Sequence, residues 1–235
     1  MISIVVPAYN EEEVIEKSIS ELFSKVKIKE GIEIVVVNDG SKDNTLKILE
    51  KLKIKFPLLK IANHPKNKGF GEALKTGIKK AEGRIIVTMD SDLTHPAELV
   101  VKMVEKIDSG YDVCIASRYV RNGGMENVPL WRVLLSYFTN LTFSAIFFTR
   151  TRDLTGGFKA YKTEMLKKVN ITRSDFSVQM EIIVALLKYH AKISEIPLML
   201  SNRTIGVSKF DFSKNAPKYI NAVFSLFIYR WFSRR

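Results

Sequence analysis

Residues 85–96 read IIVTMDSDLTHP, a short apolar run that ends in two aspartates one residue apart, Asp90 and Asp92. Successive side chains of a β-strand point to opposite faces, so these carboxylates can converge only where the strand ends and the backbone turns. Two carboxylates in such a turn are ligands for Mg²⁺ or Mn²⁺, and a bound cation can neutralise a diphosphate. The alternative interpretation is a solvated turn in which Asp92 or Thr94 caps the next helix.

This apolar run is one of five that alternate with amphipathic segments of helical length. The runs are rich in Val and Ile, as is typical of strands buried on both faces. They lie at Ile2–Val6, Ile32–Val37, Leu59–Ala62, Ile85–Met89 and Val113–Ala116. The amphipathic segments are Glu11–Lys25, Asn44–Phe56, Gly71–Ala81 and Pro96–Ser109. The alternation predicts an α/β protein with right-handed crossovers, a mainly parallel sheet, helices on both faces and a Rossmann-like nucleotide-binding half.

Polar residues follow every predicted strand. The clusters are Tyr9-Asn10-Glu11, Asn38-Asp39-Gly40-Ser41, Asn67-Lys68-Gly69, Asp90-Ser91-Asp92 and Ser117-Arg118. Ligands of such sheets bind beyond the carboxyl ends of the strands, so the five clusters are expected to form one site. In that site the ring of Tyr9 could lie against a base, and Asp39 could accept hydrogen bonds from a base or ribose. The structural alternatives are a helix cap at Asn10 and an Asx turn with a cap at Asp43.

The pattern changes after residue 121. A second glycine-containing loop at 153–157 (DLTGG) precedes a predicted helix at Val178–Tyr189 and a predicted strand at Ser194–Leu200. Residues 204–214 have the composition of a polar loop. No repeat, low-complexity tract or linker interrupts the chain. We therefore expect one catalytic domain at 1–213, with a helix at 130–149, and a basic, aromatic C-terminal helix at 214–235.

Two loops have residues suited to phosphate groups. The sequence NKGFG at 67–71 lacks the Gly-Lys-Ser/Thr of a P-loop and the third glycine of the dinucleotide-binding pattern, which disfavours both of those folds. Arg203 and Lys209 lie on either side of Gly206, which suits a lid that closes on a diphosphate; a solvated basic loop is the alternative. The histidines, at positions 64, 95 and 190, lack metal-ligand spacing and are expected to be structural.

The charge balance points to an anionic partner. The formal net charge is +12, with ten Lys/Arg against three Asp/Glu in residues 118–173 and seven against one in residues 201–235. Such an excess suits nucleic acid, an anionic membrane or phosphorylated ligands. The single cysteine, Cys114, lies in an apolar run and is expected to be a buried thiol, which fits a reducing compartment.

Two uncharged stretches are candidates for contact with a membrane surface. No signal peptide opens the chain, and no segment has the ~20 apolar residues of a spanning helix. Val133–Thr149 has 17 residues without a charge, and Tyr219–Tyr229 has eleven, each followed by arginines. Aromatic helices with cationic ends can lie in the membrane interface; a buried core helix is the alternative for each.

The order of the motifs resembles the inverting glycosyltransferases with the GT-A fold. The motifs are PAYNE, NDGS, NKGFG, DSDLTHP and SRY, in that order. DLTGGFKAYK at 153–162, QMEII at 179–183, and the Glu195-Ile-Pro to Arg203-x-x-Gly-x-Ser-Lys209 segment are similar to those of dolichol-phosphate mannose synthases, in the short form without transmembrane helices. The resemblance runs from Ile4 to about Phe210.

Carried over by residue, the resemblance implies four sets of site residues. The set expected to hold the nucleoside is Pro7, Tyr9, Glu11, Val37 and Asp39. The set expected at the metal and diphosphate is Asp90, Ser91 and Asp92, with Asp90 and Asp92 as metal ligands. The set expected to carry catalysis is Asp92, Arg118, Arg203 and Lys209, with the three cations around the phosphates. The set expected at the acceptor phosphate is Arg118, Arg132 and Ser136. The sequence departs from the family pattern at Asn38, where an Asp is common, and at Thr94, where some members have a metal-contacting Gln.

The resemblance implies transfer of mannose from GDP-mannose to dolichyl or polyprenyl phosphate with inversion, using Mg²⁺ or Mn²⁺. A phosphate monoester is already anionic near neutral pH, so such a nucleophile needs no strong general base. The expected location is peripheral, at the cytoplasmic face of a membrane, and a small membrane-anchoring subunit is a candidate partner. A UDP-glucose-dependent polyprenyl-phosphate glucosyltransferase is the alternative enzyme. A basic nucleic-acid-binding module is disfavoured, because the chain has no RNP, KH or helix-turn-helix signature.

Overall fold

The computed structural model describes residues 1–200 and 212–232, and for residues 212–217 it describes the backbone only. The strands are β1 (Ile2–Ala8), β2 (Ile32–Asn38), β3 (Leu59–Asn63), β4 (Ile85–Thr88), β5 (Val113–Ser117), β6 (Gly124–Met125), β7 (Lys159–Lys162), β8 (Ile193–Pro197) and β9 (Met199–Leu200). The helices are α1 (Ile15–Lys25), α2 (Thr45–Lys55), α3 (Phe70–Lys80), α4 (Leu99–Asp108), α5 (Leu130–Ile146), α6 (Thr163–Leu166), α7 (Val178–Lys188) and α8 (Phe212–Phe232).

Seven of these strands form one sheet in the order β3-β2-β1-β4-β7-β5-β8. The pairs β1–β2, β1–β4, β2–β3 and β5–β8 are parallel, so the predicted mainly parallel sheet is confirmed. The exception is β7, which runs antiparallel between β4 and β5. The sequence pattern predicts no strand at 159–162, because KAYK has lysines at both ends and no apolar run.

The core is divided between the two faces of the sheet. On β1, Ile2 and Ile4 pack with α1, α2 and α4, whereas Val5 points to the other face and packs with α3 and α7. Helix α3 lies very close to the sheet at Gly77, where an added Cβ would be 2.3 Å from Cγ1 of Val5. Helices therefore cover both faces, and the ends of the strands remain as the open edge.

Several predicted boundaries are wrong. Helix α1 begins at Ile15 rather than at Glu11, and Asn10 has a positive φ of 51° and accepts a hydrogen bond from the Lys42 backbone amide. Asn10 thus joins two loops instead of capping a helix. Helix α4 begins at Leu99, so neither Asp92 nor Thr94 caps it.

The predicted elements near the C-terminus also differ from the structure. The predicted strand 194–200 is divided into β8 and β9, and β9 pairs with β6 in a second, two-stranded sheet. The predicted loop 204–214 overlaps α8, which already includes residues 212–214. Helix α8 packs on the core through Ala222 and Leu226, and Tyr219 stacks on Phe143 of α5 with ring centroids 6.2 Å apart.

Candidate active site

The open edge of the sheet carries the Asp90–Asp92 turn. Asp90 keeps 37% of its side chain exposed, and its backbone amide donates to Nδ1 of His95 over 3.2 Å. The ring of His95 stacks on Phe158, which fixes the amide acceptor in place. Asp92 is buried, and its Oδ1 accepts hydrogen bonds from the backbone amide and the hydroxyl of Thr94, at 3.1 and 2.7 Å. The turn is thus ordered by its own residues, with Asp90 presented to the outside.

The donor atoms of this turn fit a hard divalent cation. Carboxylate oxygens are the ligands that Mg²⁺ and Mn²⁺ prefer. Gly157 leaves room beside them, because an added Cβ there would lie 3.2 Å from Oδ1 of Asp90. Within residues 1–200 and 212–232, no three His, Cys, Asp or Glu side chains are grouped as a complete metal site. A cation held here would therefore complete its coordination with water or diphosphate oxygens, as Mg²⁺ commonly does.

A buried ion pair between Arg118 and Asp153 lies at the end of β5. Nε and Nη2 of Arg118 donate to the two carboxylate oxygens of Asp153 at 2.8 and 2.7 Å. The backbone amides of Arg118 and Gly156 donate to the same carboxylate at 3.1 and 2.9 Å. Asp153 is fully buried, so four donors compensate one desolvated charge.

The ion pair controls the protonation of both partners. Burial alone would raise the pKa of Asp153, but the Arg118 guanidinium outweighs it and holds that pKa below its usual range. Burial likewise opposes the charge of Arg118, and Asp153 reverses the effect, so the pKa of Arg118 is raised. Arg118 is therefore a permanent, oriented cation at this edge of the sheet.

A chain of contacts connects Arg118 to helix α5. Its guanidinium carbon lies 5.0 Å from the ring centroid of Tyr119, and the Tyr119 hydroxyl shares a hydrogen bond of 2.5 Å with Ser136. Two of the predicted acceptor residues, Arg118 and Ser136, are thus brought together through Tyr119. The third, Arg132, lies one turn earlier on α5, where it is exposed and its guanidinium is 5.1 Å from the ring centroid of Trp131.

Asn140, one turn after Ser136, fastens α5 to the loop 153–157. Its side-chain oxygen accepts from the backbone amides of Leu154 and Thr155, and its amide nitrogen donates to the hydroxyl of Thr155. Thr155 also accepts from Nη2 of Arg118 at 3.0 Å. Asn140 is almost completely buried, and the sequence analysis assigned it no role.

The predicted nucleoside residues lie around β1 and β2. Pro7 and Val37 are buried neighbours in register on these strands, and the backbone amide of Glu11 donates to the Thr45 hydroxyl. Asp39 is buried and accepts hydrogen bonds from the backbone amides of Lys68 and Gly69, both at 2.9 Å.

Asp39 and His64 together organise the glycine loop. Nδ1 of His64 lies 2.7 Å from Oδ1 of Asp39, and its Nε2 lies 2.9 Å from the Thr76 hydroxyl. Gly69 has a φ of 96° and approaches Ser174 so closely that an added Cβ would be 2.5 Å from the Ser174 carbonyl oxygen. The contact of Asp39 with a base stays a prediction, because the structure shows this carboxylate holding the loop.

Two of the predicted site residues lie outside the described residues. Arg203 and Lys209, together with the predicted lid around Gly206, fall in the interval between Leu200 and α8. Their assignment to the diphosphate stays a prediction.

Sequence reasoning gave no role to Lys159 and Gln179, which lie beside this site. Lys159 is fully buried and its Nζ donates to the carbonyl oxygens of Leu154 and Gly156, at 3.0 and 2.5 Å. The side-chain oxygen of Gln179 lies 3.4 Å from the same ammonium group. Only the resemblance could have indicated them, because Lys159 lies in the motif at 153–162 and Gln179 in the motif at 179–183. The sequence KAYK by itself has neither an apolar nor a catalytic pattern.

Helices α5 and α8 share an exposed apolar surface. We define this apolar surface by Leu130, Trp131, Leu134, Phe138, Leu141, Phe148, Ile220, Phe224, Ile228, Trp231 and Phe232, all exposed. Phe148 and Trp231 meet edge to face with centroids 5.5 Å apart, which joins the two helices. In the parts of the chain that the structure describes, no helix has the length and apolar content to span a membrane.

The chain matches the model of one protein family over most of its length. The family is described as Glycosyl transferase family 2, and the match covers residues 3–169. The chain belongs to glycosyl transferase family 2. The resemblance of the motifs to glycosyltransferases is thus confirmed at the level of the family.

Two relatives of this chain have names that describe similar enzymes. The dolichol-phosphate mannosyltransferase of Pyrococcus furiosus is 35% identical over 231 residues, which are 96% of this chain and 63% of that protein. The chain thus spans slightly less than two thirds of that relative. The polyprenol monophosphomannose synthase of Mycolicibacterium smegmatis is 27% identical over 213 residues, 88% of this chain and 79% of that protein.

A solved glycosyltransferase has the same fold. The mannosyltransferase PcManGT from Pyrobaculum calidifontis, determined in complex with GDP-Man and Mn²⁺, matches with a TM-score of 0.69 and 18% identity. The match covers 95% of this chain and 63% of that one. The predicted α/β architecture of GT-A glycosyltransferases is confirmed.

Proposed function

We propose that this glycosyltransferase transfers mannose from GDP-mannose to dolichyl or polyprenyl phosphate, with inversion at the anomeric carbon. The observation that carries the proposal is the position of the loop 153–157, which lies beside Asp90 and is hydrogen-bonded to Arg118 and to α5. Transfer to a lipid phosphate requires a site for a diphosphate, a cation for the acceptor and an apolar surface for the lipid. The names of the two relatives support the same sugar and the same class of acceptor.

The donor is expected to lie across the carboxyl ends of β1, β2 and β4. The nucleoside would contact Pro7, Tyr9, Glu11, Val37 and Asp39. Asp90 and Asp92, with Ser91 beside them, would hold Mg²⁺ or Mn²⁺ against the diphosphate. When bound, the cation supplies charge neutralisation for the leaving group. Arg203 and Lys209 would add to that neutralisation from the segment after β9.

The acceptor phosphate is expected to bind on the opposite side of the sugar, at Arg118, Ser136 and Arg132. Arg118 is held by Asp153 in one orientation, which lowers the entropy cost of binding an anion. An acceptor phosphate oxygen would attack the anomeric carbon directly, and the bond to the diphosphate would break on the other face. The phosphate is already ionised, so the chain needs only to position the two groups and to stabilise the charge that moves.

The apolar surface supports action at a membrane. Cations lie close to its residues in the sequence, with Arg132 in the first turn of α5, Arg150 four residues after the end of α5 and Arg230 on α8. Each cation near an anionic lipid surface contributes about 1 kcal/mol. The sequence also predicts that Phe227 of the C-terminal helix enters the headgroup zone, which is wrong, because Phe227 packs against the core cluster that contains Ala222. We propose peripheral association with the cytoplasmic face of a membrane, through the exposed sides of both helices.

The test is turnover with the purified full chain, Mn²⁺ or Mg²⁺, a polyprenyl phosphate and a panel of labelled sugar nucleotides. We expect a mannosyl lipid from GDP-mannose, with the β configuration that inversion produces. Preferential glucosyl transfer from UDP-glucose would replace the mannose assignment with the alternative enzyme. Transfer to no lipid phosphate from any donor, while donor hydrolysis continues, would overturn the acceptor assignment.

A further inference from the structure

The side-chain amide of Gln179 is buried at the edge of the donor site with half of its hydrogen-bonding capacity unused. Gln179 is 2% exposed, and among the described residues its Nε2 has no hydrogen-bond partner. A buried donor without an acceptor loses its hydrogen bond to water without replacement, so such groups are rare in folded proteins. A bound ligand that supplies the hydrogen-bond acceptor would explain the unpaired Nε2 of Gln179.

Lys159 determines which end of this amide faces the site. Its buried Nζ lies within 3.4 Å of two oxygens of Gln179, the backbone carbonyl and the side-chain Oε1. An ammonium group has donors only, so it selects the oxygen of the amide and turns the NH2 group away from itself. Burial lowers the pKa of Lys159 to about 7, while Asp153, Glu195 and Asp90 favour its charged form against Arg118. The ammonium is therefore the main form in mildly acidic solution.

The NH2 group of Gln179 points to the space beside Asp90. A Cβ added to Gly157 would lie 3.6 Å from Nε2 of Gln179 and 3.2 Å from Oδ1 of Asp90. Gly157 is fixed there by its carbonyl oxygen, which accepts from the Thr88 hydroxyl at 2.8 Å. The amide and the carboxylate thus flank the same small space, which a side chain at position 157 would fill.

This space lies between the two ends of the proposed reaction. Asp90 marks the side of the diphosphate, and the loop 153–157, tied to Arg118 through Asp153, marks the side of the acceptor. The transferred sugar must lie between these sides, because its anomeric carbon exchanges its bond to the diphosphate for a bond to the acceptor phosphate. Sugar hydroxyl oxygens accept hydrogen bonds, so a sugar hydroxyl is the kind of partner that the unpaired NH2 group of Gln179 requires.

We propose that Nε2 of Gln179 donates a hydrogen bond to a hydroxyl of the donor sugar, and that Lys159 is a positioning residue that orients the amide. This inference rests on the proposed function, because it presumes a sugar nucleotide at Asp90. It gives the motif at 179–183 a role in holding the sugar, distinct from metal and diphosphate binding. Because Gln179 would contact the sugar alone, its substitution should weaken the binding of GDP-mannose without changing the binding of GDP.

The experiment compares the affinity for GDP-mannose with that for GDP, in the presence of Mn²⁺ at pH 6.5, by calorimetry. In Gln179→Met, which keeps the length of the side chain, we expect GDP-mannose to bind about tenfold more weakly and GDP to bind unchanged. Met180→Leu on the same helix is the matched control and should change neither affinity. Lys159→Met should also lower the affinity for GDP-mannose and leave the affinity for GDP unchanged, because the amide loses the group that orients it.

A deoxy donor identifies the hydroxyl. A GDP-sugar that lacks the contacted hydroxyl should bind wild type about tenfold more weakly than GDP-mannose, and should bind Gln179→Met no more weakly than GDP-mannose does. If Gln179→Met does not fold, Gln179→Asn tests the same contact, since its amide is one methylene too short to reach the sugar.

The outcomes separate this inference from the proposed function. Equal weakening of GDP and GDP-mannose would overturn the sugar contact and move the amide to the diphosphate. Unchanged affinity for both ligands, with a lower melting temperature, would overturn it in favour of a structural role. Failure of wild type to bind any sugar nucleotide with Mn²⁺ would instead refute the proposed function, and the inference with it.

Discussion

Replacing Asp153 by asparagine tests whether the Arg118–Asp153 pair organises the site. The substitution keeps the shape of the side chain but exchanges one carboxylate oxygen for an NH2 group. In wild type each of the two oxygens accepts from Arg118, and the backbone amides of Arg118 and Gly156 add two further bonds. Asp153→Asn therefore leaves a largely buried guanidinium without its counter-charge and places donor against donor.

The expected cost is large because both charges are desolvated. Arg118 keeps 15% of its side chain exposed and Asp153 none. Breaking one partner of such a buried pair costs about 3–5 kcal/mol of unfolding free energy, compared with about 1 kcal/mol or less for an exposed pair. For a chain of this size the corresponding fall in melting temperature is roughly 10 °C.

The assay is urea unfolding of Asp153→Asn beside a matched control, Asp112→Asn. Asp112 accepts from Lys162 Nζ at 3.0 Å and from the Lys192 backbone amide, at the opposite end of the sheet and partly in solvent. We expect the control to lose about 1 kcal/mol. If the two variants lost the same stability, the buried pair would not organise the site and the reasoning would be refuted.

The pH dependence gives the same prediction an independent check. The pKa of Asp153 is lowered in the folded state, so its stabilising contribution is complete above the unfolded value of about 4. That contribution is lost as the pH falls through the folded value. The stability difference between wild type and Asp153→Asn should therefore be constant near neutral pH and shrink below about pH 4.

The remaining predictions concern the metal, the buried lysine and the apolar surface. Asp92→Asn, or chelation of wild type, should abolish transfer; full activity in excess EDTA would remove the metal assignment. Burial lowers the pKa of Lys159 in the folded chain to about 7. Between about pH 7 and 10 the unfolded chain therefore binds more protons at this residue than the folded chain, so the unfolding free energy should rise with pH. Lys159→Met, measured by urea titration, should lack this rise. Phe224→Ser should weaken sedimentation with anionic liposomes, whereas Ile54→Ser, at an even more exposed apolar residue on α2, should not; equal binding of both variants would indicate that the surface binds something other than lipid.

The strand and helix order could be predicted because it depends on local patterns. The run Ile34–Val37 is apolar throughout, as is typical of a strand covered on both faces, and the structure buries the whole of β2. The rule that parallel strands present their carboxyl ends at one edge then brought Asp90 and Arg118 together without any contact information.

The antiparallel strand β7 could not be predicted, because its signal is not local. Lys159 is apolar in its stem and charged at its end, and it is buried only because carbonyl oxygens from a loop and from α7 meet its Nζ. Gln179 has the same character, since its role depends on Lys159 and Gly157, which are close in space and distant in sequence. Helix starts failed for a related reason: tertiary contacts use the side chain of Asn10 in a loop contact rather than in a cap.

The loop 153–157 shows why these contacts have to be considered as a unit. Asp153 is hydrogen-bonded to Arg118, Thr155 to Asn140 of α5 and the Gly156 carbonyl to Lys159, and Gly157 lies beside Asp90. Five residues thus connect the expected acceptor side, the expected sugar side and the turn expected to bind the metal, and a shift of the loop would move all three. Substitutions within this network should therefore be strongly non-additive, since each one alters the same loop. The glycines at 156 and 157 are part of that arrangement, because a Cβ at either position would lie within 3.4 Å of a carboxylate oxygen, of Asp153 or of Asp90.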